Sequence, residues 1–162
     1  MTADLKAKLD FLFTTAAPYL DYEGLSVTFI KNSPASDEAI AALPSNLDIP
    51  NDYIQFLKAF NGCTLFEYKD FGGFEFLAAD QIERELTIQR ETYAEDWDES
   101  LMVFCNVPGD GDFISFRNKG NNEYEILDCY HDDSPKNWNT ITNSFDVFLE
   151  RLIDEKGKRY WL

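Results

Sequence analysis

The chain has 162 residues, 44% of them apolar and 15% aromatic, so it can bury a hydrophobic core without disulfides or metal, and disorder is excluded. Its 30 acidic and 14 basic side chains give a formal net charge of −16 at pH 7. Nucleic acid and anionic membranes would repel such a chain, which excludes both as partners and favours a basic partner.

The N-terminal third is predicted to hold two helices and a strand. Apolar residues on one side of residues 4–20 predict the first helix. Residues 26–30 have a strand composition, and a short helix follows over residues 36–42. Ser36 is the expected N-cap of that helix, since its hydroxyl can accept a hydrogen bond from the first turn.

The next segment predicts a helix with both ends marked. Pro50 suits the first turn because the N–H that proline lacks has no helical partner there. Asn61-Gly62 ends the helix, since glycine tolerates the left-handed conformation. The apolar face of this helix consists of Tyr53, Ile54, Phe56, Leu57 and Phe60.

Strand patterns dominate the middle of the chain. They cover residues 63–66, 74–77, 101–105, 112–117 and 123–130, separated by turn compositions at 68–73, 108–111 and 118–122. A helix over residues 81–90, capped by Asp80, is predicted between the second and third strands. The acidic segment 91–100 is predicted to be a loop.

The chain closes with an amphipathic helix over residues 144–154, capped by Thr142 or Asn143. The basic tail, residues 155–162, either docks or frays. Strands in the middle and helices at both flanks predict an α+β fold, with a central, mostly antiparallel sheet flanked by N-terminal, middle and C-terminal helices. With no interdomain linker, we expect one domain over residues 1–162.

The cysteines indicate a reducing compartment. Cys63, Cys105 and Cys129 are widely spaced and form no Cys-x-x-Cys pattern, so we expect reduced, mostly buried thiols. The N-terminus has no signal-peptide apolar run, and no segment approaches the roughly 20 apolar residues that span a bilayer. We therefore expect a cytoplasmic protein.

No pattern nominates catalytic chemistry. Cys129 and His131 would point the same way on a strand, so a thiol nucleophile beside a base is conceivable. A core thiol next to a surface histidine is the preferred interpretation, because neighbouring same-face residues rarely have nucleophile–base geometry. The sequence lacks the common nucleotide-binding, hydrolase and zinc motifs. We expect no enzyme activity and no cofactor.

The turn Gly109-Asp110-Gly111-Asp112 raises the question of calcium. An EF-hand loop starting at Asp110 needs glycine at its sixth position and glutamate at its twelfth, where this chain has Ser115 and Asn121. Turn geometry is therefore the preferred interpretation, and no metal site is expected.

Three segments together resemble one family, the SUKH superfamily of fungal cell-wall assembly regulators and bacterial immunity proteins. The first is the helix block with Ile49-Pro50, Tyr53, Phe56-Leu57 and Asn61-Gly62; the second is the strand–turn–strand 103–116; the third is the closing Ser-Phe-x-x-Phe-Leu helix over 144–149. Each is weak alone, but their order and spacing extend the resemblance over roughly residues 35–155. The resemblance implies a mostly antiparallel sheet with helices around it, a binding role, and no catalytic residues.

The resemblance and the charge together lead to the hypothesis of an immunity protein. It would bind and neutralise a polymorphic toxin domain, in particular a nuclease with a basic cleft. A regulatory or scaffold module without a toxin partner is the alternative; the lack of long low-complexity flanks favours the immunity role. On charge alone, an acidic surface that only maintains solubility is equally open. We expect a monomer or a weak dimer.

Binding residues are expected in the predicted turns and loops. Candidate acids that attract a basic partner are Glu67, Asp70, Glu95, Asp96, Asp98, Glu99, Asp110, Asp112, Asp132 and Asp133. Candidate aromatic anchors are Tyr68, Phe71, Tyr93 and Trp97. For any single residue, a solvated charge or a core aromatic is the competing interpretation.

Overall fold

A computed structural model describes residues 1–69 and 72–162. In this part of the chain, the α-helices are α1 (Ala3–Thr14), α2 (Asp37–Ala41), α3 (Asn51–Phe60), α4 (Ile82–Tyr93) and α5 (Phe145–Asp154). The strands are β1 (Tyr19–Leu20), β2 (Ser26–Lys31), β3 (Cys63–Glu67), β4 (Phe74–Phe76), β5 (Leu101–Val107), β6 (Asp112–Gly120), β7 (Glu123–Cys129) and β8 (Asn139–Thr142). Short 3₁₀ turns cover Ala94–Asp96 and Pro135–Asn137.

The strands form one sheet in chain order, from β1 to β8, and each strand is antiparallel to the next. The longest ladder joins β6 and β7, where Phe116 pairs with Ile126. This meander with helices around it confirms the predicted α+β fold. Within residues 1–69 and 72–162, no helix is long and apolar enough to cross a lipid bilayer.

An aromatic core lies between the sheet and the helices α1, α3 and α5. The ring of Tyr53 on α3 lies 5.2 Å from that of Phe116 and 5.3 Å from that of Phe145, and Phe104 stacks on Phe116 at 4.2 Å. The Tyr53 hydroxyl donates to the carbonyl of Leu77, which satisfies the polar group of a fully buried side chain. This layer accounts for the apolar face predicted for the helix.

The opposite face of the sheet is covered by α4 and the segment that contains Trp138. Strand alternation places Phe113 on this face, three residues from the core-facing Phe116. The Phe113 ring lies 5.2 Å from Trp138 and 6.2 Å from Tyr93, at the end of α4. The sheet is therefore packed on both faces near the start of β6.

Helix α3 follows its local signals closely. It runs from Asn51 to Phe60, with Pro50 in the position just before it. Asn61 and Gly62 both adopt positive φ, at 46° and 78°, as the predicted stop requires. The Asn61 side chain also accepts a hydrogen bond from the Ala79 amide, which ties this stop to the chain beyond β4.

Helix α1 is shorter than predicted. It ends at Thr14 instead of residue 20, and Tyr19 joins the sheet by pairing with Val27. Pro18 cannot supply a helical N–H, and sheet pairing overrides the apolar periodicity beyond it. The prediction of a single helix over residues 4–20 was wrong at its C-terminal end.

The middle helix also differs from its prediction. Asp80 is not the cap: α4 begins at Ile82, and the Gln81 side chain accepts from the Ala78 amide, which holds the turn before the helix. The helix continues to Tyr93, and a 3₁₀ turn follows, so the first part of the predicted loop 91–100 is helical.

The C-terminal region contains a strand that sequence analysis missed. Strand β8 ends at Thr142 and pairs with β7, so neither Thr142 nor Asn143 caps the last helix. The cap is Ser144, whose hydroxyl accepts from the Val147 amide. The tail docks: the ring of Trp161 lies 5.6 Å from that of Phe148.

Two glycines in the same backbone region give a test of this packing. A Cβ atom at Gly62 would lie 2.5 Å from the Phe76 carbonyl oxygen, whereas one at Gly24 would meet nothing within 4 Å. Both have positive φ. We expect Gly24→Ala to lower the free energy of unfolding by about 1–2 kcal/mol from backbone strain, and Gly62→Ala by roughly 2 kcal/mol more from the clash. Urea unfolding measures both, and equal losses would contradict the close approach.

Candidate functional site

One end of the sheet gathers four separate connections. Antiparallel neighbours reverse direction at each turn, so every second connection of a meander falls at the same end. The described residues of these connections are 21–25, 68–69, 72–73, 108–111 and 130–138. The C-terminal tail runs between them and completes the surface.

Arg159 of the tail is fixed by Asp110 of the β5–β6 turn and by Asp112 at the start of β6. Its Nη1 atom donates to Asp112 at 2.9 Å, and its Nη2 atom pairs with Asp110. Asp112 is 5% exposed and also accepts from the backbone N–H of His131 at 3.1 Å and from its ring Nδ1 at 2.8 Å. One buried carboxylate therefore joins β6, the tail and the segment after β7.

These contacts determine how the site titrates. Burial alone would raise the pKa of Asp112, but hydrogen bonds from His131 and Arg159 together lower it below its usual value. The hydrogen bond to Asp112 raises the pKa of His131 above 6.5, and Asp132, whose carboxylate lies 3.4 Å from Nε2, adds to that rise. The ion pair between His131 and Asp112 is therefore favoured at mildly acidic pH.

The tail beyond Arg159 packs against the core. Trp161 lies between Phe74 and Phe148, with ring centroids 6.3 and 5.6 Å away. The guanidinium of Arg151 stacks on the Tyr160 ring at 3.9 Å from its centroid. These contacts hold the tail in place between the loops.

Two cavities of about 590 and 520 Å³ flank the tail. They share Asp110, Arg159 and Leu162 and therefore adjoin each other at the tail; together they are here named the C-terminal groove. The larger cavity reaches the β1–β2 turn at Tyr22, and the smaller one reaches Tyr130 after β7. Each volume falls within the range of roughly 300–1,000 Å³ that is typical of ligand-binding clefts.

A second structured region adjoins the groove. The Tyr93 ring packs on Trp138 at 5.1 Å and on Trp97 at 6.4 Å, and its hydroxyl donates to the His131 carbonyl at 3.1 Å. The Trp97 indole nitrogen is buried, and no hydrogen-bond partner for it lies among the described residues. Both predicted anchors are thus partly buried and help to hold the loop.

Most predicted acids near Tyr93 form internal ion pairs. Asp96 pairs with Lys136 at 2.5 Å, Glu99 with Arg90 at 2.7 Å, and Asp98 approaches Arg117 at 3.8 Å. Glu95 is exposed and joins none of these pairs. The fold therefore uses three of these four acids to hold the segment itself.

The remaining predicted residues divide between the groove and its surroundings. Tyr68 and Asp133 line the groove, as do Asp110 and Asp112. Asp132 contacts His131, and Glu67 accepts from the Thr28 hydroxyl at 3.1 Å. The predicted Asp70 and Phe71 lie outside the described residues. The structure thus brings five predicted residues, Tyr68, Asp110, Asp112, Asp132 and Asp133, to the groove or its edge.

Several groove residues were missed by sequence analysis. Arg159 was noted only as part of a basic tail, and Asp128 and Tyr130 only as strand residues. Tyr22 and Leu25 belong to a turn that carried no prediction at all. The meander order was the available signal, since it places alternate turns together.

The side chains that a calcium site or a thiol nucleophile would use are engaged in other contacts. The Asp110 and Asp112 carboxylates bind Arg159, and the described residues contain no cluster of metal-ligating side chains that could hold an ion. Cys129 is fully buried, its sulfur lies 3.0 Å from the Ser115 hydroxyl, and burial raises its pKa. Its thiol is therefore protonated, and the His131 ring bonds to Asp112 instead.

Comparison with known proteins identifies a family and two relatives that this chain resembles. The sequence model of the SMI1 / KNR4 family (SUKH-1) matches residues 34–151. The chain is 27% identical over 138 residues to the uncharacterized protein YnaB of Bacillus subtilis (strain 168), covering 83% of this chain and 87% of YnaB. It is 28% identical over 124 residues to the uncharacterized protein YobM of the same strain, covering 71% of this chain and 62% of YobM.

The burial of the cysteines gives one prediction. Cys63, Cys105 and Cys129 are all free and buried, and burial raises the pKa of each thiol. We expect a thiol-reactive disulfide reagent to label the native protein at least about 100-fold more slowly than the protein in concentrated guanidinium. Comparison with the Cys129→Ser variant shows how much of the measured labelling comes from Cys129. Rapid labelling of Cys129 in the native protein would restore the nucleophile interpretation.

The pair of His131 and Asp112 gives a pH-dependent prediction. Folding raises the pKa of His131, so the stabilisation that the His131–Asp112 ion pair gives the folded state is complete below about pH 6.5. That stabilisation is lost as pH rises through the raised pKa of His131. The lowered pKa of Asp112 keeps its carboxylate charged over this range. We expect His131→Asn to destabilise the protein more at about pH 5.5 than at about pH 8.5.

Urea unfolding at both pH values measures this difference. His131 is the only histidine in the chain, so wild type and variant differ in no other group that normally titrates in this window. A destabilisation of equal size at both pH values would contradict the ion pair.

Proposed function

The chain belongs to the SMI1 / KNR4 family (SUKH-1), and we propose that it is an immunity protein that binds and neutralises a cognate toxin domain. The toxin would be a nuclease with a basic active cleft, and the protein would act in the cytoplasm by covering that cleft. The observation that carries the proposal is the net charge of −16 on a fold of this family. Such a role needs no catalytic group.

Electrostatics supports this role. A nuclease cleft must attract phosphates and is therefore positive. An acidic protein approaches such a surface with association rate constants that reach about 10⁸–10⁹ M⁻¹s⁻¹ at low salt. Fast capture suits an inhibitor, because the genome stays exposed to the nuclease until the cleft is covered.

The chemistry of the side chains also supports a binding role. The three thiols are buried, and the only histidine bonds to an aspartate that also holds an arginine. The surface also offers exposed carboxylates, exposed aromatic rings and open cavities. A partner-binding surface uses all three.

The test begins with the neighbouring genes: a basic, nuclease-like domain encoded in one of them is the candidate toxin domain, and it is purified for the binding experiment. We expect the purified protein to bind it one to one and to abolish its nuclease activity. Because long-range attraction is screened by salt, the association rate constant should fall by roughly tenfold or more between about 50 and 500 mM salt, with a smaller change in dissociation.

Stopped-flow binding and a nuclease assay measure these quantities. A heat-denatured sample of the same protein is the control for nonspecific effects of an acidic chain. Full nuclease activity at saturating protein would contradict the immunity role, and a regulatory role without a toxin would then be the one to pursue.

A further inference from the structure

The C-terminal groove carries an excess of negative charge. Six carboxylates line its two cavities: Asp21, Glu23, Asp110, Asp112, Asp128 and Asp133. Among the described residues, two permanently charged cations, Lys158 and Arg159, line them as well, together with His131, which is paired with Asp112. Because the low-dielectric walls of a cleft focus its field, this excess favours a positively charged occupant.

The internal ion pairs leave specific acids available. Arg159 is already bound by Asp110 and Asp112, so it does not neutralise the rest of the groove. Within the described residues, neither Asp128 nor Asp133 forms an ion pair. Burial raises the pKa of Asp128, and Trp161 and Arg159 offset that rise only in part. A cation at this point would stabilise a carboxylate that has lost part of its water.

Apolar side chains are exposed in the same groove. Tyr22 is 51% exposed, Leu25 38%, Tyr130 46% and Leu162 83%. They are four of the nine large apolar side chains that the described part of the chain leaves exposed. Tyrosine rings beside carboxylates suit the aliphatic stem and the charged end of a lysine or arginine.

The groove between α1 and α5 provides a contrast. It also exposes an aromatic ring, Phe11, in a cavity of about 450 Å³. Its charges are balanced, since two acids and two lysines line it, and Lys8 is held by Glu150 and Asp154. Nothing in that groove selects a basic partner.

We propose that the C-terminal groove is the docking surface for a basic segment of a partner protein. A lysine or arginine side chain enters the cavity lined by Asp128, Tyr130 and Asp133, and neighbouring apolar side chains of the partner pack on Tyr22 and Leu25. This proposal rests on the proposed function, of which it specifies the binding face. It commits to a protein partner with a cationic, partly aliphatic segment.

The first test uses a defined probe, the capped peptide Ac-GRLKRLRG-NH₂, titrated into the ¹⁵N-labelled protein. We expect NMR shift changes centred on the backbone amides of residues 22–25 and 128–133. Asp133→Lys and Tyr130→Ala should each weaken peptide binding by about tenfold or more, because one reverses a groove charge and the other removes the ring. A peptide with glutamate at every basic position should not bind.

The matched control is Glu91→Lys. Glu91 is exposed near the end of α4, outside the groove, and the substitution changes net charge by the same amount as Asp133→Lys. We expect it to weaken peptide binding by no more than about twofold. Equal losses in Glu91→Lys and Asp133→Lys, or shift changes spread over the whole surface, would overturn the groove as the docking site.

The same variants distinguish this proposal from the immunity role. Suppose that the toxin domain binds the wild-type protein, that Glu91→Lys weakens this binding, and that Asp133→Lys and Tyr130→Ala do not. The groove is then not the docking surface, and the immunity role stands. If the toxin domain does not bind wild type but the peptide maps to the groove, the immunity role is wrong and the groove stands as a cationic docking surface. Each result therefore tests either the immunity role or the groove as the docking surface, independently of the other.

Discussion

The buried carboxylate of Asp112 is the interaction on which the candidate binding end of the sheet depends. It is 5% exposed, yet it accepts hydrogen bonds from His131 and Arg159, which are far apart in the chain. A charge this buried is tolerated only with such partners, and removing one would leave the other charges uncompensated. The turn, the tail and the segment after β7 are therefore positioned together by one residue.

The acidic character of the chain takes two structural forms. Some acids are used internally, as in the pairs of Asp96 with Lys136 and Glu99 with Arg90, which fasten the segment after α4. Others, such as Asp133, line a cavity without an ion pair inside the described residues. Net charge alone cannot separate these two groups, although only the second presents an unneutralised charge to a partner at short range.

Local signals were sufficient for some elements and insufficient for others. Helix α3 was predicted closely because its start, its apolar face and its left-handed stop all lie within the segment itself. Strand β8 was missed because four polar and β-branched residues become a strand only by pairing with β7. Asp80 has the better capping side chain, but Gln81 holds the turn through the Ala78 amide, a geometry that composition does not reveal.

The candidate binding surface was harder to predict than the fold, because it too depends on which strands pair. Five of the predicted residues gather at the groove, but they do so because alternate turns of a meander share one end of the sheet, and only the strand order reveals this. Arg159 and Tyr130 could not be predicted as groove residues, because the sequence showed only that one lies in a basic tail and the other at the end of a strand. Which acidic side chains remain free to contact a partner depends on the ion pairs that the fold creates, and residue type alone does not reveal those pairs.

The way in which the groove is held bears directly on how it can bind. Its walls are turns, which are ordinarily mobile, but the Arg159 pairs and the packing of Trp161 on Phe148 fix the tail that runs between them. A surface already ordered before binding loses less conformational entropy when a partner arrives. Charge that attracts a partner from a distance and a groove that needs little rearrangement favour fast association together. The core beneath these turns is well packed: the Tyr53 ring contacts Phe116 and Phe145, and its hydroxyl donates to the Leu77 carbonyl. This packed core supports the strands from which the turns extend.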